Sequence, residues 1–255
     1  MNLLFGYPLA IFGISFLTMW FSAWIGWVFI KRYHSLNEEV REDYGFILGA
    51  TLTLLGLIIG FTFSMATNRY DQRKNLEEAE ANAIGTEYVR ADLLPAATAE
   101  NVRGLLRDYL DQRILFYKAH EEKASRQLDA LTARLQSDLW SAILGPAASQ
   151  PTPIIALTVS GMNDVLNSQG YTQAAYWNRI PTAAWALMAF IAIGCNLLIG
   201  YGSRSLTTGY KLLPILPLLV AIAFMLVSDI DSPRRGIIHV TPQNLISLAD
   251  SLRPR

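Results

Sequence analysis

Apolar residues along this chain gather into four uncharged runs, and the polar residues fill the stretches between them. Residues 7–30 give 24 positions without a charge, with Trp20, Trp24 and Trp27 toward the second end. A helix of that length rises about 36 Å, enough to cross a hydrocarbon core of about 30 Å with some tilt. Residues 46–66 give 21 such positions, and residues 183–201 give 19. Tyr176 and Trp177 precede the third run and suit an aromatic belt at a membrane surface. Residues 212–228 give 17, with Pro214 and Pro217 near the start, where a missing backbone donor costs least. The first run lacks the basic leader and small-residue cleavage site of a signal peptide and exceeds the usual apolar core of one, so a retained membrane helix is expected. The pattern predicts an all-α integral membrane protein with four transmembrane helices and an extramembrane helical layer.

That layer is residues 67–179, where charges collect and apolar residues return at helical spacing: Val102, Leu106 and Tyr109, then Leu128, Leu131, Leu135 and Leu139. Pro95 is expected to end a helix that continues out of the membrane, and Thr98 to cap a second helix running toward Ile143. Gly145-Pro146 and the residues up to Pro153 read as a loop. A third helix is expected over 152–169. The heptad breaks between Lys118 and Ser125, which argues against a simple coiled coil. The expected organisation is therefore 1–66 for the first two membrane helices, 67–179 for the extramembrane region, 180–228 for the last two membrane helices, and 229–255 for a C-terminal tail.

Composition narrows the function. Of 255 residues 52% are hydrophobic and 16% charged, against about 25% charged in an average soluble domain. Lys+Arg and Asp+Glu are both 21, so no excess cation points to a nucleic-acid partner. The single cysteine, Cys195, excludes an intramolecular disulfide and a multi-cysteine zinc site, and its apolar surroundings suit an inert buried thiol. His34, His120 and His239 are too scattered to share a metal. No phosphate-cradling loop or nucleophile elbow occurs, so no enzyme, cofactor or metal is expected. None of the four runs holds an Asp, Glu, Lys, Arg or His, which argues against proton-coupled carriers and voltage sensors. Polar Thr51, Thr53, Thr62, Ser64 and Asn196 remain to handle a substrate or lipid.

Basic residues near the run ends divide eight to five, with Arg69, Arg73, Lys74, Arg179, Arg234, Arg235, Arg253 and Arg255 on one side. Lys31, Arg32, Arg41, Arg204 and Lys211 lie on the other. The majority places the helical layer and both termini in the cytoplasm, although Lys31-Arg32, directly after the first run, pull the other way.

The second run carries the most information. Gly49, Gly56 and Gly60 lie close to one helical face, and Gly56 with Gly60 makes a Gly-x-x-x-Gly pair. Such a face serves packing within the chain or close approach between subunits. Thr53, Leu57 and Phe61 recur every four residues on a neighbouring stripe, which would face lipid or core on a lone helix. Around a symmetry axis it would form stacked apolar rings.

Segment 54–61, Leu-Leu-Gly-Leu-Ile-Ile-Gly-Phe, followed by Asn68-Arg69-Tyr70-Asp71-Gln72-Arg73, resembles the end of the second transmembrane helix of bestrophins. The 80–91 segment Glu-Ala-Asn-Ala-Ile-Gly-Thr-Glu-Tyr-Val-Arg-Ala and the 229–236 segment Asp-Ile-Asp-Ser-Pro-Arg-Arg-Gly are similar to signatures of the bacterial bestrophin-like family. The resemblance covers nearly the whole chain. It implies a pentameric anion channel in a bacterial inner (plasma) membrane, with a cytoplasmic helical part and a narrow apolar neck on the second helix. By position the neck falls on Thr53, Leu57 and Phe61. Thr53 departs from the family's apolar group, Tyr70-Asp71 from its paired tryptophans, and the acidic calcium clasp of animal bestrophins is not evident.

Asp229, Asp231, Arg234 and Arg235 stand at a membrane exit and read as a juxtamembrane clamp, docking against Arg69 or Arg73 and Glu77 or Glu80, or else as a solvated turn. Glu80, Asn82, Glu87 and Arg90 read as groups bonding between helices or subunits. Arg69 and Arg73 either raise local anion concentration or pair with Asp71 or Glu77. Two functions follow: an oligomeric anion channel, or a non-conducting membrane scaffold or sensor whose helical layer binds a protein. Expected partners are the lipid bilayer, further copies of the chain and an inorganic anion.

Overall fold

Each apolar run becomes helix in the computed structural model, which describes residues 7–30, 38–119, 122–203 and 212–253. His34, His120, Lys31, Arg32, Arg204, Lys211 and Arg255, which entered the histidine and charge readings, lie outside the described residues. In chain order the helices are α1 (Pro8–Ile25), α2 (Glu38–Arg90), α3 (Ala96–Lys118), α4 (Glu122–Ser149), α5 (Pro153–Trp177), α6 (Thr182–Gly202), α7 (Ile215–Asp231) and α8 (Gln243–Leu252). A π-helical turn, Gly26–Ile30, extends α1, and a 3-10 turn, Ala91–Leu93, follows α2. No strand occurs among the described residues.

Three stretches, Pro8–Val28, Val40–Leu93 and Pro153–Gly202, contain helix long and apolar enough to cross a membrane. The fourth run forms the 17-residue α7, which rises about 26 Å, at the lower end of what a bilayer requires. The chain divides into two compact units, residues 1–68 with 179–239 and residues 69–178 with 240–255. The 229–255 stretch, read from the sequence as one tail, thus contributes to both.

In the membrane unit, α1 packs along both α6 and α7. Ser22 Oγ donates to the Ile193 carbonyl at 2.8 Å. Gly26 and Gly200 let the backbones meet, because a Cβ on either would collide with the Leu197 or Ala23 carbonyl. Near the start of α2, the Tyr44 hydroxyl donates to the Leu198 carbonyl, and its ring meets Tyr201 edge-on at 5.7 Å.

In the second unit α3 packs on α4, α4 on α5, and α8 on α3. The core is the apolar face read from the sequence, Val102, Leu106 and Tyr109 on α3 and Leu139 on α4, joined by Met162 and Val165 on α5 and Leu245 on α8. Several boundaries differ from expectation. Helix α3 begins at Ala96, directly after Pro95, and not at Thr98. The expected long second helix is two, α3 and α4, separated where the heptad breaks. Pro146 lies inside α4, not in a loop. It sits in the last turn, where losing one backbone donor disturbs little of the helix that follows. Helix α5 starts as expected, with Thr152 Oγ1 accepting from Ile155 N at 3.3 Å. It continues past residue 169 because Thr172, Ala175 and Tyr176 are buried against the unit.

Candidate functional site

Helix α2 has a sharply divided surface. Leu55, Thr62 and Ala66 are buried, and at 100° per residue they form one narrow stripe. Gly49, Gly56 and Gly60 lie on the far side, and a Cβ added at any of them meets nothing within 4 Å. Thr53, Leu57 and Phe61 are exposed as well, Leu57 by 52% and Phe61 by 64%. Burial of apolar side chains is the ordinary outcome for a helix packed in its own fold, yet only 11% of the most apolar window of α2 is buried within the chain. The Thr53 hydroxyl donates to the Gly49 carbonyl at 2.9 Å, so it is satisfied on its own helix. The chemistry that set Thr53 apart from an apolar position is thereby turned inward.

Beyond Asn68, α2 buries a seam of charged residues. Arg73, Glu77, Glu80 and Glu87 all fall on the inward face with Ile84 and Ala91. Arg73 Nε donates to the Ala175 carbonyl at 3.3 Å and an amino nitrogen to the Asn178 carbonyl at 3.5 Å, a cation at the C-terminus of α5. The Glu77 carboxylate accepts from the backbone N–H of Asn244 at 2.9 Å and Leu245 at 3.0 Å, and from the Asn244 side chain at 2.6 Å. It therefore caps the N-terminus of α8, which no side chain of its own caps.

Glu80 pairs with Arg113 of α3, and both side chains are fully buried. Tyr117 and Thr172 donate to the same carboxylate at 3.1 and 3.2 Å. The Arg113 guanidinium lies over the Phe116 ring, 4.3 Å from its centroid. Burial alone would lower the Arg113 pKa, but the Glu80 charge and its hydrogen bonds carry it above the ordinary value. Burial, reinforced by Glu80, likewise raises the Tyr109 and Tyr117 hydroxyls.

Glu87 differs from its neighbours on the seam. Both carboxylate oxygens are buried without a hydrogen-bond partner, and they occupy the notch left by Gly161 on α5, together with Arg90. Burial pushes its pKa from 4.5 to about 8; Arg90 opposes the rise, and Asp164 adds to it. Asn82 is exposed and Arg90 half-buried, so the reading of 80–90 as groups bonding between helices separates into an inward set and an outward one.

The contacts described for the remaining juxtamembrane residues lie within their own units. Asp229 accepts from the backbone N–H groups of Ile237 and Ile238, each at 2.8 Å, which folds the chain after α7 back on itself. Gly236 is required there, since a Cβ would strike the Asp229 carbonyl. Asp231 accepts from Ile180 N through both oxygens at 3.2 Å and stands 4.0 Å from the Arg179 guanidinium. Arg235 stacks over the Tyr7 ring at 4.7 Å, and Arg69 and Arg234 are half-buried. Arg113 escaped the sequence reading, although a cation within the apolar stripe Leu106, Tyr109, Leu110 and Phe116 was the visible signal. No group of three or more His, Cys, Asp or Glu suited to a metal occurs among the described residues.

These observations define an all-α integral membrane protein with an extramembrane helical layer. The chain belongs to the family of the Bestrophin-like domain, whose model matches residues 16–245. Its fold is similar to crystal structures of a bacterial bestrophin homolog from Klebsiella pneumoniae. A mutant of that protein superposes with a TM-score of 0.64 at 13% identity, covering 94% of this chain and 97% of that one. A structure of it phased with zinc gives 0.62 at 12% identity, covering 96% and 95%. No curated protein matches the chain.

Proposed function

We propose that the chain assembles into a ring-shaped homo-oligomer, a pentamer, that conducts inorganic anions such as chloride through a bacterial inner membrane, with its helical layer in the cytoplasm. The observation that carries this reading is the outward face of α2. Its glycine stripe and its Thr53, Leu57 and Phe61 stripe both turn away from the chain's own helices. A ring uses both: small residues let neighbouring α2 helices approach closely, and the apolar stripe faces the axis. Successive rings then lie about 6 Å apart, and Phe61 makes the narrowest, excluding ions by excluding water. Residues 1–66 and 180–228 supply the membrane part and 67–179 the helical layer. No step calls for a cofactor or for catalytic chemistry.

The test is flux from chloride-loaded liposomes containing oligomer of verified mass. Phe61→Ala raises leak about tenfold or more, whereas Leu9→Ala on α1 leaves it unchanged. Negligible flux from wild type, Phe61→Ala and Leu57→Ala alike removes the pore and leaves a membrane scaffold.

A further inference from the structure

Helices α1 and α6 run parallel, with Ile11 and Thr182 at one end and the Gly26 and Gly200 crossing at the other. The backbones touch at the glycines and part toward the other end, leaving a cavity of about 280 Å³. The space exists because α6 presents Ala186, Ala189 and Ala192 there, opposite Ile11, Ser15 and Met19 of α1. Ser15 Oγ donates to the Ile11 carbonyl at 2.6 Å, which leaves the wall apolar. Trp185 and Phe224, edge to face at 6.1 Å, complete the lining. From Thr182 to Ile193 the groove runs about 16 Å. That matches one leaflet of a bilayer, half of a core of about 30 Å.

The wide end is bordered by cations. Arg235 stacks on Tyr7, one turn before Ile11, and Arg179 stands three residues before Thr182 with its side chain 39% exposed. Asp231 accepts from Ile180 N and stands 4.0 Å from the Arg179 guanidinium, and Asp229 accepts from Ile237 and Ile238, so the arginines border the groove with their carboxylate neighbours held on backbone donors.

We infer that this groove holds one acyl chain of an anionic phospholipid whose phosphate is met by Arg179 and Arg235. An apolar slot as long as a leaflet, open beside arginines, matches a single-chain tail below a negative headgroup. The inference does not depend on conduction.

Delipidated protein is offered vesicles of phosphatidylglycerol or of phosphatidylcholine with matched chains, and bound lipid is counted by native mass spectrometry. Wild type retains phosphatidylglycerol preferentially. Arg179→Gln and Arg235→Gln each cut that retention about fivefold while leaving phosphatidylcholine unchanged. Ala189→Phe, which fills the slot, abolishes retention of both. A second measurement covers failure of that variant to fold: phosphatidylglycerol brominated along its chain quenches wild-type tryptophan fluorescence, and Trp185→Phe removes that component. Equal retention of the two lipids, unchanged retention in folded Ala189→Phe, or quenching that is absent or independent of Trp185 each overturns the inference. Groove occupancy by a second copy, seen as loss of oligomer in Ala189→Phe without loss of lipid, also overturns it.

Discussion

Glu80 and Arg113 neutralise each other where neither meets water, and such pairs matter most when broken. Arg113→Met leaves a buried carboxylate with only Tyr117 and Thr172 as donors. The expected loss is on the order of 3–5 kcal/mol in denaturant melts, most of it recovered by adding Glu80→Gln. Glu87 behaves in the opposite way, because it has no hydrogen bond to lose. Its pKa is about 8 when folded and 4.5 as the ordinary value, so between those pH values the folded chain holds a proton that the unfolded chain releases. Its contribution is most favourable below pH 4.5, declines as the pH rises, and is gone above about 8. Glu87→Gln removes this dependence. The variant's stability advantage over wild type therefore grows between pH 5 and 8, by on the order of 2 kcal/mol, and is flat beyond. A constant difference across that range would place the proton elsewhere. Sequence spacing marked Glu80 and Glu87 as polar groups between helices, but their separate fates depend on what α3 and α5 bring. Arg113 meets one, and the Gly161 notch receives the other.

At the scale of elements, charged residues of α2 complete the ends of other helices. Arg73 closes the last turn of α5, and Glu77 opens α8. Glu77→Ala leaves the first N–H groups of α8 without an acceptor and is expected to cost about 1–2 kcal/mol. Hydrogen exchange reads this as selective loss of protection over 243–252, with α4 unaffected. Helix existence was legible from apolar spacing, and Thr152 announced α5 correctly. The ends were less legible. Pro146 is tolerated in a last turn that the sequence alone does not locate, and α5 outruns residue 169 because its later residues are buried.

At the scale of the whole molecule, the exposed glycine face of α2 makes a prediction about assembly. Purified protein in mild detergent is expected to have five times the mass of the 28.4 kDa chain, detergent subtracted. Gly56→Leu with Gly60→Leu is expected to shift it toward smaller species while the helical content stays constant. A monodisperse wild-type monomer would remove the axis on which the neck stripe depends.

The sequence by itself determined the membrane class, the apolar helices, the existence of two stripes on α2 and the absence of a charge at depth. These follow from local periodicity and composition, which act along one helix at a time. Tertiary structure alone decided the rest. It split the tail between two units, turned Asp229 and Asp231 onto backbone N–H groups, joined Glu80 to Arg113 across 33 positions of sequence, and left Glu87 without a hydrogen-bond partner. A side chain's charge is written in the chain, but its partner is whichever group packing brings within about 3 Å, and that depends on helices distant in sequence.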